Sequence, residues 1–280
     1  MSAYWRRLWA AIKIGWAVES NWTHTWVFVI YSAVRPLALC LVLYFLFRLV
    51  YQQPATEQAF IGVYVANAFF TLVITLCAGT TWAIINDREH YYIIRYIYVS
   101  PIRMITYVLG RSVPLLMLGL SSLLIILVFG RYVLEMPIGL DAIRWELLLP
   151  ASILGVVCSM ALGIFFAGFC LVTAKHSMML AEGVGGVFLL LCGVIFPVDI
   201  MPAAFRVAGL ALPVTYWMEA TRRAFGVQGF SAMLTPLSDI NLMLILLIGS
   251  ALLLAASVWA FHGFEHLAVK HGKIDQATNY

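Results

Sequence analysis

The sequence predicts an all-α membrane protein of about six transmembrane helices, and three observations carry that expectation. Hydrophobic residues make up 63% of the chain and charged residues only 11%, against about 45–50% and about 25% in soluble domains. The mean hydropathy is +0.95. The apolar residues also fall in windows of the right length, since about 30 Å of hydrocarbon takes about 20 helical residues to cross. These windows lie near 27–50, 60–85, 104–129, 147–173, 179–197 and 240–262. With no soluble stretch, low-complexity tract or internal repeat, residues 1–280 read as one transmembrane domain.

Residues 1–24 precede the first window. Trp5, Leu8, Trp9, Ile12 and Trp16 recur at helical spacing, while Arg6, Arg7 and Lys13 are expected to project elsewhere. No apolar core with a small-residue cleavage site marks a secretory signal. The pattern predicts an amphipathic helix lying in the interface, its indoles at headgroup depth. Arg35 then falls inside the first window beside Pro36, and Glu182 lies near the start of the fifth. An Arg facing lipid at the bilayer centre costs about 2.5–3.5 kcal/mol. Both charges are therefore expected to face protein or water, in structural roles.

The link between the second and third windows, 86–101, is far longer than a turn requires. It opens with Asn86, Asp87, Arg88 and Glu89, continues through Tyr91, Tyr92, Arg95, Tyr96 and Tyr98, and stops at Ser100-Pro101. Proline disfavours helix in the residue before it, so the segment predicts a short helix under the membrane that presents a surface to a cytoplasmic partner. The stretch 198–238, with the approach to it from Gly193, is apolar yet broken by Pro197, Pro202 and Pro213. Backbone that is not helical survives at membrane depth only where protein or a water-filled cavity covers it. Two short re-entrant helices on the outer side, before the last span, meet both facts. Glu219 and Arg222, three apart, share a helical face within pairing distance.

Orientation follows from Lys and Arg placement. With the N-terminus inside, the cytoplasmic side receives Arg6, Arg7, Lys13, Arg88, Arg95, Arg103, Arg111, Lys175, Lys270 and Lys273. The outer side receives Arg48, Arg131, Arg144, Arg206, Arg222 and Arg223. Both termini are then cytoplasmic. The net charge of +4 fits basic loops held against anionic lipid and points to no nucleic-acid partner. Cys40, Cys77, Cys158, Cys170 and Cys192 all lie in apolar runs and read as small hydrophobes in helices.

The order of these parts resembles the permease subunit of type-2 ABC exporters, in the drug and lipid branch, over nearly the whole chain. The residues that carry the resemblance are Gly193, Phe196, Pro197 and Pro202 in one run, Leu212, Pro213, Thr215, Tyr216, Glu219 and Arg222 in the next, and Ser100-Pro101 closing the first cytoplasmic loop. Where many members carry Gly-Thr in mid-loop, this chain has Tyr92-Ile93. The resemblance implies an interfacial N-terminal helix and a coupling helix that docks on an ATPase subunit through Arg88, Glu89, Tyr92, Arg95, Tyr96, Ser100 and Pro101. It implies an outer gate at Gly193, Phe196, Pro197, Pro202, Pro213, Tyr216, Glu219 and Arg222. It further implies a second permease copy or a sister permease, location in the cell's inner (plasma) membrane, and an amphipathic small molecule or lipid as cargo, a polysaccharide or lipid-linked glycan being the alternative.

The chain carries no phosphate-binding loop, since its single Gly-Lys pair, Gly272-Lys273, is followed by Ile274. No cofactor is expected in this chain; ATP and magnesium would bind the partner ATPase. His262, Glu265 and His266 match a zinc-peptidase spacing, but they sit at the edge of the last window with no domain to form a cleft, and a polar helix end is expected there. An ion-coupled carrier would want intramembrane acids, for which Glu182 alone qualifies.

Overall fold

The computed structural model describes residues 3–20, 24–50, 57–173 and 177–274, and these fold as helices and connecting turns with no strand among them. The helices are α1 Ala3–Ser20, α2 Thr25–Val50, α3 Glu57–Glu89, α4 Ile93–Val99, α5 Met104–Tyr132, α6 Trp145–Val172, α7 Ser177–Leu191, α8 Ala203–Ala211, α9 Pro213–Ala224 and α10 Asp239–Lys270. Four helical stretches, Gln58–Glu89, Met104–Tyr132, Trp145–Val172 and Asp239–Lys270, are long and apolar enough to cross a membrane. Shorter apolar segments occupy Pro36–Phe47 of α2 and Ser177–Leu191. Helices thus stand at all six apolar windows, and the chain is a multi-pass membrane protein.

The centre of the bundle is α3. Its most apolar window is 78% buried, against 22% for that of α10, because α5, α6, α7 and α9 all pack around it. Tyr64, Phe69, Phe70, Leu72 and Val73 of α3 join Cys158, Leu162, Val214 and Trp217 in the main core. The five cysteines are buried free thiols, as expected of small apolar residues in helices.

Two ends of the bundle follow from α3. Its last turn leads into α4, while Gly62, near its first turn, accepts a hydrogen bond from Arg222 of α9. At this second end α9 dips into the bundle. Its last residue, Ala224, accepts from the Arg144 amide at the mouth of α6 (2.9 Å). Its first residue, Pro213, packs on Gly249, and Trp217 packs on Gly155. Gly155 and Gly249 are each the eleventh residue of their helix, so α9 reaches about 15 Å inward at roughly 1.5 Å per residue. Gly155 admits Trp217 only because it lacks a side chain: a Cβ there would overlap the indole ring. Of the two short helices expected within 198–238, α9 enters the bundle, whereas α8 is exposed along most of its length with only Gly209 buried.

Three boundaries differ from the sequence reading. The fifth window, 179–197, is helical only to Leu191, because Gly193 turns into the left-handed region (φ 64°) and the chain then passes through a 3₁₀ turn at Val198–Ile200. The segment 86–101 is not one helix. Its charged opening continues α3 to Glu89, and a two-turn helix begins only at Ile93. On α1, Lys13 does not project away from the indoles: it lines the same groove as Trp9, Ile12 and Trp16, with Nζ 5.8 Å from the Trp9 ring. The face of α1 that does pack uses small residues instead. Ala11 meets Gly110, and Gly15 meets Pro114, so the two helices approach closely along one edge and leave Trp5, Trp9 and Trp16 exposed.

Candidate functional site

At the first end, α4 is a seven-residue amphipathic helix. Ile94 and Ile97 are buried in a cluster with Ala11, Ile84, Met104, Tyr107, Val108, Ile164, Leu171, Phe261 and Ala268. Five helices, α1, α3, α5, α6 and α10, contribute to that cluster, and α4 packs on it through α3 and α5. The opposite face presents Arg95, Tyr96 and Val99 to the outside, with Tyr91 and Tyr92 beside them. The Arg95 guanidinium lies 5.0 Å from the Tyr92 ring. Ser100 closes the helix: its amide reaches Tyr96 O and Ile97 O, and its hydroxyl donates to Ile97 O (2.8 Å) and accepts from the Ile102 amide. Pro101 follows, exposed. Tyr98 donates to Glu265 of α10 (3.3 Å), and burial together with that carboxylate raises its phenol above the usual range.

Arg88 and Glu89, expected on the outward surface, serve the junction behind it. Arg88 is buried and donates to Cys170 O (2.7 Å), to Ser177 Oγ and to Glu89 (2.8 Å). It thereby joins the end of α3 to the end of α6 and the start of α7. The carbonyls at a helix C-terminus carry partial negative charge and attract cations. Lys273, on Val172 O (3.0 Å), acts on the same terminus.

A second buried group lies beside α4, and the sequence reading missed it. Asp87 Oδ2 accepts from Tyr107 Oη (2.7 Å) and Arg111 Nε (2.9 Å), and Arg111 also donates to Gly15 O (3.2 Å). Glu19 approaches Arg111 at 3.5 Å. Burial raises the Glu19 carboxyl above its ordinary range, with Arg111 opposing and Asp87 adding to the rise. One guanidinium thus ties α1, α3 and α5 together next to the short helix. In the sequence Arg111 reads as a flanking cation and Asp87 as part of a loop. Nothing in the sequence links two residues 24 positions apart on different helices.

At the second end, Arg222 sits at the break in the chain. It donates to Gly193 O (2.5 Å), Val194 O (2.8 Å) and Gly62 O (3.2 Å), and its guanidinium stacks on Phe230 at 3.9 Å. The carbonyls stranded where α7 stops are thereby satisfied, which buried backbone requires. The pairing of Glu219 with Arg222 is present but loose, at 3.9 Å. The neighbour Arg223, not singled out in the sequence, is the closer partner at 3.2 Å. Arg223 also binds Leu234 O (2.7 Å), Leu237 O (2.7 Å) and Asp239 (3.1 Å), and Arg144 reaches the same Asp239 (2.7 Å). Glu219 Oε2 has no hydrogen-bond partner inside the core. Tyr216 donates to Leu210 O and Thr215 to Gly209 O, which lock the α8–α9 turn around Pro213. Phe196 and Pro202 are exposed, Pro197 half-buried, and Gly193 and Pro213 buried.

The remaining candidates stand apart from both groups. Glu182 points outward from α7 with no partner among the described residues. Lys175 and the side chains of Arg35 and Arg48 lie outside the described residues. His262 pairs with Glu265 at 3.5 Å on an exposed helix end, and among the described residues no three His, Cys, Asp or Glu gather for a metal.

A comparison with curated proteins returns no match. The sequence model of one family, described as ABC-2 type transporter, matches residues 9–225, from α1 through the end of α9 and well over half of the chain. With its apolar helices and that match, the chain belongs to the ABC-2 type transporter family, as a membrane-spanning permease subunit of an ABC transporter.

Proposed function

We propose that the chain is the membrane half of an exporter that moves an amphipathic small molecule or lipid out of the cytoplasm. ATP hydrolysis takes place on a separate ATPase subunit, where magnesium also binds, and the pathway forms between this chain and a second copy or a sister permease. The observation that carries the reading is α4. A linker helix needs no surface, yet this one sinks Ile94 and Ile97 into a cluster to which five other helices contribute and turns Arg95, Tyr96 and Val99 outward. Movement imposed on such a helix passes directly to α3 and α5, on which it packs. The α4 end is cytoplasmic in this reading, with both termini there and the protein in the inner (plasma) membrane. Supporting this, Arg6, Arg7, Arg95, Arg103 and Lys270 are exposed at that end, against Arg131 and Arg144 at the other, where Arg222 and Arg223 are buried.

The α8–α9 pair is then the outer gate, its broken backbone held by Arg222 and its far side by Arg223. Glu182 faces the space between permeases, because an unpaired carboxylate on an apolar helix is too costly against lipid. Transport proceeds by population shift, ATP-bound closure of the ATPases favouring one tilt of the permeases and release the other. The test is Arg95→Glu at unchanged expression. Association with the ATPase should weaken about tenfold, the effect of 1.4 kcal/mol of charge mismatch, and transport should fall with it. A variant that co-purifies with the ATPase and transports normally removes α4 from the coupling.

A further inference from the structure

We propose that the groove between α1 and α5 holds one anionic phospholipid, its acyl chain against Trp9, Trp16 and Met117 and its phosphate at Lys13. The groove encloses about 580 Å³, within the roughly 300–1,000 Å³ of ordinary ligand sites, and it is a consequence of how the two helices meet. Ala11 and Gly15 hold α1 tight against Gly110 and Pro114 along one edge. Along the other edge the small Ala17 cannot fill the space between the exposed Trp16 and Met117.

Arg6, Trp9, Lys13 and Trp16 follow one another at intervals of three and four, so cation and indole alternate down one face of α1. The acid of this helix, Glu19, is turned away onto Arg111. The charge offered by the groove and its rim is therefore positive throughout, which selects an anion. Its walls are apolar, which selects an anion with a hydrocarbon tail. Basic sites between membrane helices hold anionic headgroups for the same reasons. A second copy of the chain fits less well, because a symmetric contact would set each Arg6–Lys13 face against its own kind.

The experiment is native mass spectrometry of the purified full chain, titrated with phosphatidylglycerol and, separately, with phosphatidylcholine carrying the same tails. Phosphatidylglycerol is expected to add one molecule per chain at lower concentration. Lys13→Gln should weaken that step about fivefold, the effect of roughly 1 kcal/mol per cation near anionic lipid. Ala17→Trp, which fills the groove, should abolish it with the helical circular dichroism intact. Equal uptake of the two lipids, or uptake unchanged in both variants, overturns the proposal. Displacement by glycerol phosphate, which has no tail, would assign the site to a free phosphate. Loss of dimer with lipid uptake kept, in Ala17→Trp, would assign the groove to a second copy.

Discussion

Arg222 reaches three backbone carbonyls from the Gly193 break and from Gly62, while Arg223 binds Glu219, Asp239 and the 234–237 turn. Both are nearly inaccessible, so neither can lose its charge without leaving partners unpaired. Replacing Arg222 with Gln removes a buried cation from the Gly193 and Val194 carbonyls at the break in the chain, and should cost about 3–5 kcal/mol. Arg223→Gln should cost a similar amount: Asp239 keeps Arg144, but the buried Glu219 is left with Arg222 alone at 3.9 Å. Thermal melting in detergent compares the two, and an unchanged melting point in either variant would refute its anchoring role. Tyr92 carries backbone strain instead. Its φ of 53° is left-handed, and such a conformation costs a non-glycine residue of order 1–3 kcal/mol. Tyr92→Gly should relieve that cost while forfeiting the Arg95 stacking, leaving amide exchange across 93–99 nearly unchanged. Tyr92→Val, β-branched, should speed the exchange of those amides several-fold, as a loss of about 1 kcal/mol does.

At the scale of elements, α4 is read well from sequence because its cues are local. Isoleucines recur at three-residue spacing, tyrosines fill the other face and Ser-Pro stops the helix. The seating of α1 depends on partners far away in the chain and is not legible in the same way. Its tryptophans form the stripe expected at headgroup depth, while Ala11 and Gly15, off that stripe, make the contact, and Arg111 reaches across to Gly15 O and Glu19. The Glu19 carboxyl is held above its ordinary range by burial. A raised folded value means that its contribution is full below the ordinary carboxylate range and is lost as pH rises through the raised value. Hydrogen exchange of α1, corrected for intrinsic rates, should therefore show a looser seat on raising the pH across that interval. Glu19→Gln should remove the dependence, and a dependence that persists would place the titrating group elsewhere.

Across the whole molecule, the α4 end and the α8–α9 end lie at opposite ends of α3. Oriented by the Lys and Arg bias, residues 86–101 and 263–280 should be cytoplasmic and 130–146 external. The native cysteines are all buried, so they should stay unlabelled and single replacements at exposed positions can be read against them. His90→Cys and Lys270→Cys should resist an impermeant thiol reagent in intact cells, and Asp141→Cys should react. Labelling at position 90 from outside would invert the topology. The core itself accounts for the depth of α9. Trp217 inserts against Gly155 and Phe69, which anchors α9 by a large buried ring rather than by its caps.

The sequence by itself determined the class of protein, the positions of six apolar helices, the short helix before Ser100-Pro101 and the paired helices among Pro197, Pro202 and Pro213. Each of these is set by composition or by spacing within about 20 residues, the range over which hydrocarbon thickness, helical period and proline geometry act. Tertiary structure alone decided where the charges go. Asp87, Arg88, Arg111 and Arg223 are polar residues at the edges of apolar runs, which in sequence look solvated. In the fold each is buried with partners from other helices, because a charge taken out of water must find its counter-charge or its carbonyls in three dimensions.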